Sequence, residues 1–143
     1  VPGKAKIILF QALNRRNVID KIIGITVWTE DLGRLKNFYH QVLRLPLHSH
    51  HQEFVVFRWG TMRLNLGLHD RVRGMNHDPF RIMIHLETGN IFDETERLRS
   101  LGVEFIRLPE KESWGGWVGT FKDPDCNVLQ LLQLPNTSSA KKR

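Results

Sequence analysis

The feature that most constrains the fold of this chain is an internal duplication. Residues 22–70 contain a segment of alternating apolar residues, a segment with apolar residues at helical spacing, and three further short apolar segments. Residues 80–134 contain the same five segments in the same order, so that matching points recur after roughly 57–65 residues. This pattern predicts two similar modules, each of order βαβββ.

The first half shows the pattern clearly. In the string IIGITVWTE, Ile23, Ile25 and Val27 alternate with small or polar neighbours, which predicts a strand. The string DLGRLKNFYHQVL has apolar residues at helical spacing, and either Thr29 or Asp31 can cap its start. The strings LPLHSH, EFVVFRWG and TMRLNLGLHD then predict three short strands separated by turns.

The second half repeats this order. In FRIMIHLE, the residues Arg81, Met83 and His85 share one face of a predicted strand. The string NIFDETERLRSLG predicts a helix with Asn90 as its N-cap and Gly102 just past its end. The strings VEFIRLP, WVGTFKD and NVLQLLQL again predict three strands.

Length and composition are those of one globular domain. The chain has 143 residues, of which 41% are hydrophobic and 25% are charged. We expect the body, residues 21–134, to fold as the unit, with an arm before it and a basic, disordered tail after it. The predicted segments are 1–20 for the N-terminal arm, 21–70 for the first module, 71–79 for the linker, 80–134 for the second module and 135–143 for the tail.

Charge and cysteine content narrow the possible partners and the compartment. The net charge is +6, but seven of the 21 basic residues lie in residues 1–19 and 135–143, which leaves 14 basic and 15 acidic groups in residues 20–134. A nucleic-acid-binding domain carries its basic stripe on the folded body, so we expect no nucleic-acid partner. The apolar runs are too short to cross a membrane. The single cysteine, Cys126, excludes an internal disulfide and favours a cytoplasmic location.

Three strings carry a family resemblance. GITVWTEDLGRLKNFYHQVL resembles the opening strand and helix of the vicinal oxygen chelate superfamily, which contains glyoxalases, bleomycin resistance proteins and extradiol dioxygenases. LRSLGVEF and WGGWVGTFKDPDCNVLQLL resemble its second module, whose signature is a DPDGN turn before the last strand. The chain departs from the family at Arg44 and Cys126, where the family usually has glycine.

The resemblance implies an α+β fold and a place for a ligand. Two tandem βαβββ modules would form a cupped eight-stranded mixed sheet with helices on its outer face. The concave face would hold a small molecule, and in the enzymes of the family it also holds a divalent metal. Members of the family commonly form dimers, so we expect a homodimer.

The metal ligands of the family enzymes can be sought position by position. The resemblance aligns those positions with Gly24, Asn65, Arg81 and Gln130 of this chain. Divalent metals in such sites prefer imidazoles and carboxylates, whereas glycine has no side-chain donor and arginine carries a fixed positive charge. We therefore expect no metal and no other cofactor.

Two other groups of residues keep a metal site open as an alternative. Because the alignment of the fifth strand can shift by one or two residues, His85 and Glu87 could join the two amide residues in a non-standard site. The string HSHHQ is also rich in histidine, although a surface turn between two strands is the simpler interpretation.

The single cysteine does not indicate a catalytic nucleophile. Cys126 lies beside two acids, which disfavours a reactive thiolate.

Alternation places a mixed set of aromatic, amide and guanidinium side chains in the predicted cup. Such a set suits an anionic or aromatic ligand. The predicted ligand-binding residues are Trp28, Arg63, Asn65, Arg81, Met83, His85, Trp117 and Gln130. We therefore expect a metal-free small-molecule binding protein. The alternatives are a metal-dependent lyase, isomerase or dioxygenase with a non-standard ligand set, and a fold that serves only as an interaction partner.

Overall fold

The computed structural model describes residues 3, 4, 6 and 18–135 of the chain, and it confirms an α+β fold of two βαβββ modules. The predicted N-terminal arm and C-terminal tail lie largely outside the described residues. No helix among those residues is long and apolar enough to cross a membrane. The elements are β1 (Gly24–Thr29), α1 (Leu32–Lys36) with a π-helical continuation (Asn37–Val42), β2 (Leu47–His51), β3 (Phe54–Trp59), β4 (Met62–Leu68), β5 (Met83–Glu87), α2 (Ile91–Ser100), β6 (Phe105–Lys111), β7 (Trp117–Lys122) and β8 (Val128–Gln133).

The eight strands are divided between two hydrogen-bonded sheets of four. Their orders are β1-β4-β3-β2 and β5-β8-β7-β6, so the second sheet repeats the first. The first strand of each module runs parallel to the last strand, with Thr26 opposite Asn65 and His85 opposite Gln130. These two registers confirm the internal duplication, and they make Asn65 and Gln130 structurally equivalent.

The two helices begin as the sequence predicts but differ in form. Asp31 caps α1 by accepting a hydrogen bond from the backbone of Arg34, and Asn90 caps α2 in the same way from Asp93. From residue 37 onwards the first helix is π-helical; for example, the N–H of Leu43 donates to the carbonyl of Phe38 at 2.8 Å. The sequence predicted a single helix here, and over a segment of six residues the apolar spacing does not separate π-helical from α-helical turns.

One continuous apolar core joins the two modules. It contains inward-facing side chains of both sheets together with side chains of both helices. The π-helical segment contacts both sheets, since the Phe38 ring lies 6.4 Å from Phe121 of β7 and the Tyr39 ring lies 6.4 Å from Phe57 of β3. The helix-covered faces of the two sheets are therefore turned towards a shared core, and their other faces are turned away from it.

The turn before β8 makes the polar contacts at this junction. The hydroxyl of Tyr39 donates to Asp123 at 2.7 Å, and the hydroxyl of Thr29 donates to Asp125 at 2.6 Å. Arg34 forms an ion pair with the same Asp125 carboxylate. All of these contacts run from the first module to the second, and both aspartates are buried.

Asp123 also builds the turn itself. Its carboxylate accepts the backbone N–H groups of Asp125 and Asn127 at 2.8 and 3.0 Å and the side-chain amide of Asn127 at 2.8 Å. Burial nevertheless raises the pKa of Asp123 above its usual value, and these hydrogen bonds offset only part of that effect. The prediction that the two aspartates form a turn is confirmed. The sequence did not predict that the same aspartates would also bind residues of the first helix.

Tyr39 is the only tyrosine of the chain, so its ionisation can be followed directly. Burial, reinforced by the Asp123 carboxylate, raises the pKa of Tyr39 well above its ordinary value. A group of this kind stabilises the fold fully below its unfolded pKa of about 10, and that contribution is lost as pH rises towards the folded pKa. We expect no tyrosinate absorbance from the folded protein near pH 10.5 and its appearance on unfolding in denaturant at the same pH.

Tyr39→Phe is the matched variant. It leaves the buried Asp123 carboxylate short of one donor, which we expect to lower the free energy of unfolding at pH 7 by about 1–3 kcal/mol. The wild-type protein should lose stability above pH 10 as Tyr39 ionises in the unfolded chain, and the variant should not show this loss. If the folded wild-type protein showed tyrosinate absorbance near pH 10, where an exposed tyrosine ionises, the raised pKa of Tyr39 would be contradicted.

Two non-glycine residues of the described chain have left-handed backbone conformations. They are Arg44, with φ of 60°, and Cys126, with φ of 65°. Both stand where the resembled family has glycine. The left-handed region is costly for residues with a Cβ atom, so each departure from the family pattern carries backbone strain.

Cys126→Gly should relieve this strain in the turn before β8. The gain in the left-handed region is about 1–2 kcal/mol, and the greater freedom of glycine in the unfolded chain offsets about half of it. We expect a higher midpoint of unfolding in urea for Cys126→Gly. Cys126→Ser keeps the Cβ atom and should not be more stable than the wild-type protein. Equal midpoints for Cys126→Gly and Cys126→Ser would contradict the proposed backbone strain at this position.

Candidate functional site

A cavity of about 550 Å³ lies between the first module and β5 of the second module. We call it the intermodule cavity. Three segments form its walls: the chain that follows the π-helical segment, the β3–β4 hairpin with its neighbour on β1, and strand β5. Its lining residues are Ile25, Arg44, Leu45, Pro46, Trp59, Met62, Arg63, Leu64, Met83, Ile84, His85, Leu86 and Glu87.

The intermodule cavity combines apolar walls with a few charged groups. Arg44, Arg63 and His85 contribute basic groups, and Glu87 contributes a carboxylate. Neither arginine is paired with a carboxylate in the described part of the chain. Unpaired guanidinium groups beside apolar walls offer charge-assisted hydrogen bonds to an anionic group on a ligand.

The amides predicted to line the cup lie on the sheet faces turned away from the core. Asn65 donates to the hydroxyl of Thr26 at 3.3 Å, and Gln130 donates to the hydroxyl of Thr120 at 3.2 Å. The side-chain oxygen of Asn65 is buried and has no hydrogen-bond partner among the described residues. Gln130 keeps a polar side chain within an apolar strand because it faces away from the core.

The structure brings three of the predicted ligand-binding residues together in the intermodule cavity, namely Arg63, Met83 and His85. Asn65 and Gln130 lie at equivalent positions in the two separate sheets. Trp28 is 43% exposed and lines a different cavity. The predicted set therefore does not form one site.

Arg81 and Trp117 lie elsewhere than expected. Strand β5 begins at Met83, and Arg81 precedes it in a turn, where its side chain is exposed and bonds to Asp78 at 2.6 Å. The expected strand was too long at its start, because the alternation of β5 continues by chance into residues 80–82, which precede the strand. Trp117 lies on the core face of β7, with its ring 4.9 Å from that of Phe92 on α2.

The duplication corrects the alignment of the metal positions. Gly24 lies two residues before the partner of Asn65, and Met83 lies two residues before the partner of Gln130. The equivalent of Gly24 in the second module is therefore Met83 and not Arg81. Glycine, a thioether and two amides do not suit a divalent metal, so these positions do not fit the metal site of the family enzymes.

The alternative metal sites also lack a donor set. Among the described residues, no group of three or more His, Cys, Asp or Glu side chains is placed to hold a metal ion. His85 and Glu87 line the intermodule cavity without a third such residue. In the histidine-rich string, which forms β2 rather than a turn, His50 lies 3.1 Å from the amine of Lys36.

The sequence did not identify most of the apolar lining of the intermodule cavity, and it also missed one charged residue, Arg44, and one aromatic residue, Trp59. The signal for Arg44 was present, since it replaces the usual glycine of the family and adopts the conformation that favours glycine. No pattern distinguishes Trp59, because the β3–β4 hairpin could place it on either side of its sheet.

A comparison with protein-family models matches residues 21–131 to the Glyoxalase/Bleomycin resistance protein/Dioxygenase superfamily. The chain belongs to this superfamily. The resemblance seen in the sequence is thereby confirmed, as is the fold that it implied.

Individual relatives are distant. The uncharacterized protein YetH of Bacillus subtilis (strain 168) is 25% identical over 121 residues, which cover 81% of this chain and all of YetH. A glyoxalase/bleomycin resistance protein/dioxygenase from Nocardioides has a TM-score of 0.68 at 20% identity and covers 93% of this chain and 95% of its own. A lactoylglutathione lyase from Agrobacterium tumefaciens has a TM-score of 0.64 at 16% identity, with coverage of 82% and 96%. At these identities the solved structures show a shared fold alone.

Proposed function

We propose that this protein binds a small organic anion with an apolar portion in the intermodule cavity, without a metal. The observation that carries the proposal is the pair of arginines, Arg44 and Arg63, that line an otherwise largely apolar cavity without a carboxylate partner among the described residues. The cavity volume of about 550 Å³ lies within the range typical of small-molecule sites.

The backbone of Arg44 supports the same site. A left-handed conformation at a non-glycine residue costs about 1–3 kcal/mol and is found preferentially where function requires it. Here the strain brings a guanidinium to the cavity at a position where glycine would be more stable. Trp59 adds an aromatic surface to the same lining, which suits a flat portion of the ligand.

The enzyme alternative has less support. The fold is shared with a lactoylglutathione lyase, but fold alone does not assign a reaction. The positions that would hold the divalent metal carry Gly24, Asn65, Met83 and Gln130, which lack the required donors, so no catalytic step can be derived through such a metal. The cytoplasmic location and the absence of nucleic-acid and membrane partners stay predictions.

Arg63→Ala tests the proposed site. With benzoate and naphthoate as probes and their neutral amides as matched compounds, we expect the carboxylates to raise the melting temperature of the wild-type protein more than the amides do. Loss of one charge-assisted hydrogen bond corresponds to about 1.5–3 kcal/mol, so Arg63→Ala should weaken carboxylate binding at least tenfold in titration calorimetry.

Two further variants separate binding from folding. Arg44→Gly should weaken carboxylate binding and at the same time raise the stability of the ligand-free protein, because it removes the backbone strain. Arg99→Ala removes the same charge from an exposed position on α2 and should leave binding unchanged. Equal loss of binding in Arg63→Ala and Arg99→Ala would show that the attraction is not local to the cavity.

We also propose that the chain forms a homodimer. Large apolar side chains that precede the first strand of each module are exposed, with Ile23 at 63% and Ile82 at 73%. Such exposure at equivalent points of both modules suits a surface that a second copy covers.

We expect a dimer in sedimentation analysis at micromolar concentration. Ile82→Asp should weaken the association more than Leu101→Asp, which alters another exposed apolar residue. A monomeric wild-type protein would contradict this.

A further inference from the structure

A second cavity, of about 740 Å³, lies where β1 and β4 end. We call it the Trp28 cavity. Its lining includes Trp28, Glu30, Glu53, His69, Asp70 and Arg73, and it shares no residue with the intermodule cavity. Its charge is also of the opposite sign, since three carboxylates and one guanidinium line it.

The indole of Trp28 is held in a fixed position by its neighbours. A Cβ atom on Gly67 would come within 2.6 Å of the indole and 2.9 Å of the Phe54 ring, so glycine at this position makes room for both rings. The Trp28 ring lies 6.1 Å from that of Phe54 and 5.2 Å, edge to face, from that of His69. The indole is still 43% exposed and lines the cavity, so it presents an immobilised aromatic surface there.

The three carboxylates around the indole differ in how many hydrogen bonds and ion pairs they make. Glu30 accepts the backbone N–H of Gly74 at 2.8 Å and lies 3.8 Å from the guanidinium of Arg73. The one arginine of the lining is thus already paired. The carboxylate of Glu53 makes no ion pair or hydrogen bond with any other described residue. The exposed carboxylate of Asp70 has one charged neighbour among these residues, the ring of His69 at 3.4 Å. Carboxylates therefore outnumber guanidinium groups in the lining of the Trp28 cavity.

We propose that the Trp28 cavity binds an organic cation with an apolar, methylated head of the quaternary ammonium type. An indole face is the best aromatic partner for a cation, and a weakly hydrated ammonium group loses little solvation on contact with it. Glu53 and Asp70 supply the counter-charge, and Arg73, the one guanidinium that lines the Trp28 cavity, is paired with Glu30. Arg71 lines a neighbouring cavity that Trp28 also borders. This site is independent of the proposed anion site, which lies on other residues.

The test uses choline chloride and its uncharged carbon analogue, dimethylbutanol, as paired probes on the full chain. Heteronuclear NMR separates the indole N–H signals of the four tryptophans, and Trp28→Phe assigns the one from Trp28. We expect choline to shift the Trp28 signal saturably and dimethylbutanol to shift it far less at the same concentration. A response of equal size to both compounds would overturn the proposal, since apolar contact alone would then explain binding.

Two carboxylate variants decide whether the cavity supplies the counter-charge. Glu53→Gln should weaken choline binding about threefold, the effect of one partly screened charge, while leaving the fold intact because Glu53 is exposed. Glu104→Gln removes an exposed carboxylate outside the cavity and should change nothing. Equal affinities for these two variants, or a Trp28 signal that choline does not move, would overturn the proposal.

Arg63→Ala alters the intermodule cavity and should leave choline binding unchanged. The two proposed sites can therefore be tested and rejected separately.

Discussion

The buried contact between the turn before β8 and the first helix is the interaction on which the rest of the structure depends. Asp123 and Asp125 bind Tyr39, Thr29 and Arg34 across the boundary between the modules. Without these bonds, burying two carboxylates would be unfavourable, so the turn and the helix can be buried only together. The intermodule cavity has walls from both modules, and its shape therefore depends on a contact that lies outside it.

Much of the fold could be predicted from the sequence because its signals are local. Alternation gave the strands of both modules, and Asn90 and Gly102 marked the ends of α2. The contacts between modules carry no such signal, since Thr29 and Asp125 are 96 residues apart and Tyr39 and Asp123 are 84 apart. The π-helical segment was hidden for a different reason, because its apolar spacing resembles that of an α-helix.

The candidate site was predicted less well than the fold. Alternation assigns a face only within a strand, so it failed for Arg81, which precedes β5, and for Trp117, whose strand could not be oriented from its own residues. It grouped Trp28 with Arg63, although the structure places them in cavities of opposite charge. Which side chains of a sheet share a cavity depends on how the sheets and loops meet, and that is set by packing between modules.

Each strand of the described chain pairs only within its own module. Backbone register, the property of a sheet least tolerant of small changes, is therefore set separately in the two halves. A substitution that disturbs the pairing of one sheet reaches the other only through the shared core and the buried turn. Distant substitutions in separate sheets should thus combine additively, whereas those at the junction should not. The duplicated architecture lets one half acquire a new binding surface while the other keeps its geometry.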